Sequence, residues 1–265
     1  MLIDSHAHIN DERLNGERQN IIESMQKNNL EAIIEVGFDY QSSVDAFELS
    51  QKHKQIYCAV GVHPHDAKTA NQDVYNYFAQ VASNKKVVAI GEIGLDYFYD
   101  LSDRETQKKV CAQQIELAHS LKLPVVFHLR DAYSDMYEIL LQNKSLLDNG
   151  ALLHCYSGSA EMIKQFNQFD MYYALGGAIT FKNAQKQDVI KAIPKDRLLL
   201  ETDCPYLTPV PFRGTLNKPQ YIIYALKKVA EVLQLTEEEI IKNTTENCKR
   251  LFAKIEDIEE LNEKE

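Results

Sequence analysis

The feature of this sequence that most constrains its fold is a repeated alternation of short apolar runs with longer helical stretches. Eight such runs follow one another along the 265 residues, and each has the length and aliphatic composition of a buried strand. The runs cover residues 1–9, 31–36, 56–62, 87–90, 123–128, 151–155, 171–175 and 198–201. Strands that alternate with helices form βαβ units, so the sequence predicts a parallel sheet.

The number of units distinguishes two parallel architectures. Eight units in a chain of this length favour an α/β fold with a single closed (β/α)8 TIM-like barrel over an open doubly wound sheet. The first run is not followed by the Gly-x-Gly-x-x-Gly loop that is typical of a dinucleotide site in the open sheet. We predict one barrel domain over residues 1–253, then a charged helical end or tail over residues 254–265. Residues 205–219, with four of the seven prolines, are predicted to form a long ordered loop.

Composition narrows the class of protein. Hydrophobic residues make up 45% and charged residues 26% of the chain, as in ordinary soluble enzymes, and no apolar stretch reaches the roughly 18 residues of a membrane span. The formal net charge of −10 argues against a broad basic face for duplex DNA, but it is compatible with a local positive pocket. The five cysteines are scattered, without a Cys-x-x-Cys pair, so we expect reduced thiols and a cytoplasmic location.

Residues that bind metals recur where the predicted strands end. His6 and His8 close the first run and, two residues apart on a strand, point to the same side. In a barrel the carboxyl ends of all strands meet on one face, which carries the active site. The later strand ends supply further residues of this kind, namely His63, His65, Glu92, His128, His154 and Asp203. Six of the eight histidines lie at these ends, so the pattern predicts a metal site there.

The strand-end side chains offer more ligands than one metal ion needs. Four imidazoles and two carboxylates exceed the three protein ligands that a catalytic zinc ion usually takes. They suit two divalent ions that share a bridging carboxylate, and Glu92 stands centrally on the fourth strand. Mixed nitrogen and oxygen ligands suit Zn2+, Mn2+, Fe2+ or Co2+, whereas pure oxygen sites favour Mg2+. A weakly held Mg2+ could still function at high concentration, so we expect two divalent ions that are Mg2+, Mn2+ or Zn2+. His53 and His119 fall in helical stretches and are predicted to be surface or packing residues.

Taken together, these motifs resemble the TatD family of metal-dependent hydrolases. The resemblance runs from residue 2 to about residue 252 and rests on residues 4–8, 61–65, 91–97, 128–132, 154–158 and 201–207. It implies a TIM-like barrel with one metal held by His6, His8, Glu92 and Asp203, and a second held by Glu92, His128 and His154. Related barrels often bridge their metals with a carbamylated lysine on strand four. Glu92 in that place favours the TatD branch.

The predicted reaction is hydrolysis by a metal-activated water, because bound Zn2+ can lower the pKa of water from 15.7 to about 7. Glu92 and Asp203 are the predicted catalytic residues, and Asp203 would also orient the nucleophile and accept its proton. The resemblance implies a 3′-to-5′ exodeoxyribonuclease that acts on DNA ends, which we expect to be single-stranded. We expect no membrane association and no obligate protein partner.

Four further residues are candidate substrate contacts. His63 and His65 exceed the six-ligand set and would contact a substrate phosphate or, alternatively, order the other ligands. Arg130 shares the face of His128 and would clamp a phosphate or pair with a neighbouring acid. Arg213, in the long loop, is a candidate gate or phosphate contact. The aromatic residues 97–99 would stack a terminal base or pack their own loop.

Two other function classes stay open. Hydrolysis of a small amide, ester or lactone, including aminoacyl esters, would use the same activated water. Replacing Arg130, His63 or His65 should cripple a phosphodiesterase and matter less to such an enzyme. The third class is a non-catalytic scaffold, which we would expect to have lost ligands, whereas all six are present.

Overall fold

The computed structural model describes residues 1–255 and shows eight parallel strands that pair in sequence order. The last strand returns to the first, where the backbone N–H of Asp203 donates to the carbonyl oxygen of His6 at 2.9 Å. The strands are β1 (Leu2–Ala7), β2 (Leu30–Val36), β3 (Ile56–Val60), β4 (Val87–Asp96), β5 (Val125–Arg130), β6 (Ala151–Leu153), β7 (Met171–Leu175) and β8 (Leu198–Leu200). The predicted (β/α)8 barrel is confirmed.

Helices alternate with the strands and surround the barrel. They are α1 (Arg18–Glu23), α2 (Tyr40–Lys52), α3 (Gln72–Ala82), α4 (Arg104–Leu121), α5 (Tyr133–Gln142), α6 (Ala160–Phe166), α7 (Gln187–Ala192), α8 (Ile222–Leu233) and α9 (Glu237–Leu251). Side chains satisfy the free backbone donors at several helix starts. At α9, for example, Thr236 and Glu239 form a reciprocal capping box. Within residues 1–255, no helix is long and apolar enough to cross a membrane.

The barrel interior is a separate apolar layer inside the ring of strands. Ile3, Ile34 and Val126 are buried there, on the strand face opposite to the one that packs against the helices. Phe252, directly after α9, joins this interior cluster and closes the amino-terminal end of the barrel. The polar site is therefore confined to the opposite, carboxyl end of the strands.

Strand β4 is longer than the sequence suggested, since it continues through Glu92 to Asp96 instead of ending at residue 90. Two glycines that weaken the strand pattern are required by close packing. A Cβ on Gly91 would lie 2.6 Å from the Cβ of Val126, and one on Gly94 (φ +138°) would lie 2.0 Å from the carbonyl oxygen of His128. These positions keep β4 against β5 up to the site.

Helix α4 fixes the height of two neighbouring strand ends through buried glutamines. Gln107 accepts from the backbone N–H of Asp96 at 2.9 Å and donates to its carbonyl oxygen at 3.2 Å. Gln114 makes the same pair of bonds with Val62, at 2.8 and 3.0 Å. Both side chains are fully buried, so they replace the ladder bonds that the backbone lacks where the strands end.

The chain stays packed just past the predicted domain boundary. The ammonium of Lys254 donates to the carbonyl oxygens of Ala82, Asn84 and Val87, and Ile255 is buried against the barrel interior. The other residues of the predicted tail, 256–265, lie outside the described part of the chain.

Candidate metal centre

Four of the predicted ligands converge at the end of β1, and we call His6, His8 and Asp203 the first cluster. The Nε2 atoms of His6 and His8 lie 3.2 Å apart, and Oδ1 of Asp203 lies 3.8 and 3.5 Å from them, respectively. Oε2 of Glu92 lies 3.4 Å from Nε2 of His6. Two ligand atoms at about 2.1 Å from one tetrahedral ion are roughly 3.4 Å apart, so these spacings suit a common ion.

The other oxygen of Glu92 faces His128 and His154, which we call the second cluster. Oε1 lies 2.8 Å from Nδ1 of His128 and 2.8 Å from Nε2 of His154. The two ring nitrogens are 3.4 Å apart. Nε2 of His63 is also within 3.4 Å of Oε1, so this predicted substrate contact lies at the edge of the same cluster.

Glu92 therefore stands between the clusters with one oxygen directed at each. Glu92 is buried, with only 4% of its surface exposed. Burial alone would raise the pKa of this carboxyl, but the imidazoles of His154 and His63 hold the pKa well below its usual range. An ionised carboxylate with two differently directed oxygens is the group that a pair of cations can share.

Fixed hydrogen bonds decide which imidazole nitrogen faces the centre. Nδ1 of His8 lies 2.9 Å from the carbonyl oxygen of Val36, which can only accept, so Nε2 is the nitrogen that faces the centre. Nε2 of His128 lies 2.9 Å from the carboxylate of Asp96, so Nδ1 is the nitrogen that faces the centre. These partners hold both rings in the tautomer that a metal ion requires.

Asp96 is a site residue that the sequence analysis did not assign. Its Oδ2 contacts His128 and also Nε2 of His65 at 3.1 Å, while Oδ1 accepts the backbone N–H groups of Phe98 and Tyr99. Burial opposes its charge, but the hydrogen bonds from the two histidines keep its pKa well below the usual range. Its even spacing from Glu92 on the strand was the signal that both share a face.

The imidazoles differ in their affinity for protons. Burial would lower the pKa of His8, but the hydrogen bond with Asp203 outweighs it and raises the pKa to about 9. The pKa of His128 is raised to about 9 against burial by its bonds to Asp96 and Glu92. Burial lowers the pKa of His6 and His63 to about 4, so these two rings are neutral at pH 7.

The two clusters form the floor of a cavity of about 680 Å³. His65 and Arg130 line it, as the predicted substrate contacts should. The guanidinium of Arg130 lies 3.9 Å from the ring centre of Phe98 and 4.9 Å from that of Tyr99. Lys186, which the sequence analysis did not single out, is a second cation on the wall. No local motif marked it.

Other predicted residues lie elsewhere. Arg213 does not line this cavity, because its guanidinium stacks on Phe181 at 4.0 Å and donates to the carbonyl oxygen of Thr208. These two contacts hold Arg213 within the long loop. The hydroxyl of Tyr97 donates to Asp135, and its ring packs against the hydrophobic core. His119 pairs with Asp148 on the surface, away from the site.

Comparison with known proteins identifies the family. The sequence profile described as "TatD related DNase" matches residues 3–253. The chain belongs to the TatD family. The metal-dependent hydrolase YabD of Bacillus subtilis (strain 168) is 43% identical to this TatD-family chain over 253 residues, which cover 95% of this chain and 99% of YabD. The expected resemblance is confirmed, and the protein is a metal-dependent hydrolase of this family.

More distant relatives agree with this assignment. YcfH of Escherichia coli (strain K12), also described as a metal-dependent hydrolase, is 31% identical over 258 residues, which cover 95% of each chain. The crystal structure of YJJV, described as a TatD homologue from Escherichia coli K12, superposes on this TatD-family chain with a TM-score of 0.88 at 28% identity, covering 95% of this chain and 98% of that one.

Proposed function

We propose that this protein hydrolyses phosphodiester bonds with two divalent metal ions, as a 3′-to-5′ exodeoxyribonuclease acting on single-stranded DNA ends. The observation that carries the proposal is Glu92, whose two oxygens face two separate groups of ligand atoms at the floor of one cavity. Two ions that share a carboxylate stabilise both the attacking and the leaving oxygen of an in-line displacement. The family description as a DNase supports the same substrate class.

We assign each ion to one cluster. The first would be held by His6, His8, Asp203 and Glu92, and the second by Glu92, His128 and His154. Buried imidazole and carboxylate groups fit Zn2+ or Mn2+, and Mg2+ at high concentration stays open. The ions would supply an activated water and stabilise charge on the phosphate oxygens.

The chain's own groups would position the substrate and move the proton. Asp203 is only 13% exposed in its side chain and faces the cavity, so it is placed to accept the proton of the nucleophilic water. Arg130, His63 and His65 lie around the clusters, and we assign them to the substrate phosphate. Arg213 is left out of this set because the Phe181 ring holds it.

The acidic protein fits a substrate that enters by one end. The formal net charge is −10, whereas the cavity wall carries Arg130 and Lys186. A strand end needs only a local positive pocket, while a wrapped duplex needs a broad basic face. The five cysteines are free thiols, which fits the cytoplasmic location that we propose.

One observation favours a second candidate, the hydrolysis of a small ester, lactone or amide. Part of the cavity wall is apolar and is formed by Leu175, Ile179 and Leu207. Such a surface would accommodate an acyl group instead of a sugar or base. The two candidates differ in their dependence on phosphate recognition.

The deciding experiment combines metal reconstitution with a DNA substrate. Protein stripped by chelator is given Mg2+, Mn2+ or Zn2+ and a 5′-labelled single-stranded oligonucleotide, with Glu92→Ala and the surface variant His119→Ala alongside. We expect a metal-dependent ladder that shortens from the 3′ end with the wild type and His119→Ala, but not with Glu92→Ala. An intact oligonucleotide under every metal, from protein shown to hold two ions, would contradict the nuclease and favour the small-ester candidate.

A further inference from the structure

A fully buried carboxyl group lies beneath the second cluster with one oxygen unpartnered. Glu201, immediately after β8, has no exposed surface. Its Oε1 accepts the backbone N–H of Cys155 at 2.6 Å. Its Oε2 has no hydrogen-bond partner within residues 1–255. Buried polar atoms are rarely left in this state, so this oxygen calls for an explanation.

A second unpartnered atom faces this oxygen. Nδ1 of His154 is buried, has no hydrogen-bond partner in the described part of the chain, and lies 3.8 Å from Oε2 of Glu201. The other ring nitrogen of His154 faces Glu92 at 2.8 Å. His154 therefore lies between two carboxyl groups, one on the metal side of the ring and one behind it.

If Nε2 of His154 binds a metal ion, Nδ1 of the neutral ring carries the proton, and this hydrogen needs an acceptor. A neutral imidazole that binds an ion through Nε2 carries its proton on Nδ1. Histidine ligands almost always donate that hydrogen to a carboxylate, a carbonyl oxygen or water. His8 has Val36 in this place and His128 has Asp96.

We propose that Glu201 is a positioning residue for His154, accepting the Nδ1 hydrogen through its free Oε2 when Nε2 binds a metal ion. The inference rests on the proposed metal centre but not on the identity of the substrate. It assigns a role to a fully buried carboxyl group that lies behind a predicted ligand and is not itself one.

The surroundings fix the carboxyl group and align the ring. The N–H of Cys155 holds one oxygen, and a Cβ at Gly176 would lie 3.3 Å from Cγ of Glu201, so the glycine leaves room for this side chain. The ring of His154 stacks on His6 with centres 3.8 Å apart. When the ring binds an ion, a small rotation within its plane would close the gap of 3.8 Å between Nδ1 and Oε2.

The test is Glu201→Gln, which keeps the size of the side chain. Its carbonyl oxygen takes the N–H of Cys155, so the NH2 group faces Nδ1 and favours a proton on Nε2, the wrong nitrogen for metal binding. The matched control is Glu31→Gln. Glu31 is another buried carboxyl group, but its Oε1 accepts from the ammonium of Lys249, which the carbonyl oxygen of a glutamine can still do.

Two measurements that do not depend on catalysis are made on each protein. Zinc titration of metal-free protein against a chromophoric chelator gives the affinity of each ion. NMR of zinc-loaded protein with 15N-labelled histidine detects the Nδ1 hydrogen of His154, assigned by its loss in His154→Asn. We expect Glu201→Gln to lower the affinity for one of the two zinc ions by roughly 10- to 100-fold. We also expect the Nδ1 resonance of His154 to disappear. Glu31→Gln should retain both affinities and the resonance.

Other results would overturn the proposal. Glu201→Gln with both zinc affinities and the resonance unchanged would exclude the positioning role. Equal weakening in Glu201→Gln and Glu31→Gln would indicate a structural role only. If the wild-type protein binds no second ion, the proposed two-metal centre is wrong as well. This result is distinguishable from failure of the Glu201 proposal alone, in which the wild type binds two ions. If Glu201→Gln does not fold, Glu201→Ala is titrated with and without formate, and failure of formate to restore the second ion would contradict the proposal.

Discussion

Oδ2 of Asp96 lies 2.9 Å from Nε2 of His128, on the side of the ring that faces away from Glu92. The carboxylate is ionised and can only accept, so it fixes the proton of His128 on the nitrogen that is not needed for metal binding. Through its other oxygen, the same residue orders the backbone of Phe98 and Tyr99 at the cavity wall.

We therefore predict that Asp96→Asn lowers metal affinity by roughly 10- to 100-fold, as is typical when the partner of a histidine ligand is removed. The amide group would present a donor to Nε2 and favour the wrong tautomer. Isothermal titration of metal-free protein measures the change. Asp100→Asn, a nearby exposed carboxylate paired with Arg104, is the control and should bind metal normally.

Asp203→Asn tests the assigned proton acceptor. The amide keeps an oxygen near His6 and His8 but cannot take a proton from water. We predict a loss of roughly 10²- to 10⁴-fold in kcat at saturating metal. Steady-state cleavage of the oligonucleotide measures it, and the exposed variant Asp148→Asn should keep the wild-type rate. A kcat within a few-fold of wild type would show that Asp203 is not the acceptor.

Arg130→Gln separates the two candidate reactions. A charge-assisted hydrogen bond contributes about 1.5–3 kcal/mol, so kcat/KM for a phosphodiester should fall roughly 10- to 150-fold. A small neutral ester should be affected much less. Rates on bis(4-nitrophenyl) phosphate and 4-nitrophenyl acetate give the comparison, with the surface variant Arg197→Gln as control. Equal losses on both substrates would contradict a phosphate role for Arg130.

Metal binding should release protons at neutral pH. In the metal-free protein, His8 and His128 have pKa values of about 9, so both carry a proton at pH 7 that an ion must displace. Affinity should therefore rise with pH between about 7 and 9. Titration calorimetry in buffers of different ionisation enthalpy should count two displaced protons at pH 7, and one in His8→Asn. No change in affinity across this range would contradict the assignment.

The same two groups set a pH dependence of stability for the metal-free protein. Their pKa values are raised on folding from 6.5 to about 9. The stabilisation that they supply is complete below about pH 6.5 and is lost as the pH rises to about 9. Thermal unfolding of metal-free protein should accordingly occur at lower temperature at pH 9 than at pH 6.5, with the difference reduced in His8→Asn.

Gln114→Leu tests how helix α4 supports the site. The change leaves the backbone N–H and C=O of Val62 buried without their partner. An unsatisfied buried group costs about 1–3 kcal/mol, so we predict a loss of about 2–4 kcal/mol in the free energy of unfolding. Urea denaturation of metal-free protein measures it. Gln113→Leu, one residue earlier on the exposed face of the same helix, should lose far less.

The sequence was most informative where the position of a residue along a strand determines the direction of its side chain. The alternation of eight runs predicted the barrel, and the two-residue spacing of His6 and His8 predicted that both rings meet, as their nitrogens do at 3.2 Å. The end of β4 was misjudged because Gly91 and Gly94 reduce the apparent strand propensity. Their close contacts with the neighbouring strand β5 are visible only in three dimensions.

Residues that act through a neighbour were harder to predict. Asp96 and Glu201 both lie within motifs that carry the family resemblance. Their partners, His128 and His154, lie 32 and 47 positions away in the sequence. Arg213 was predicted as a candidate gate or phosphate contact from its position in the long loop alone. The ring that holds it, Phe181, belongs to the preceding unit of the barrel.

His8 has a carbonyl oxygen as its hydrogen-bond partner, whereas His128 has a carboxylate. This difference would affect any pair of metal ions bound here. An imidazole that donates to a full negative charge is a stronger electron donor than one that donates to a neutral peptide group. Two ions of the same element would therefore be chemically unequal. The barrel would give the centre a polarity, with a more electrophilic metal on the side of β1 and a less electrophilic one on the side of β5.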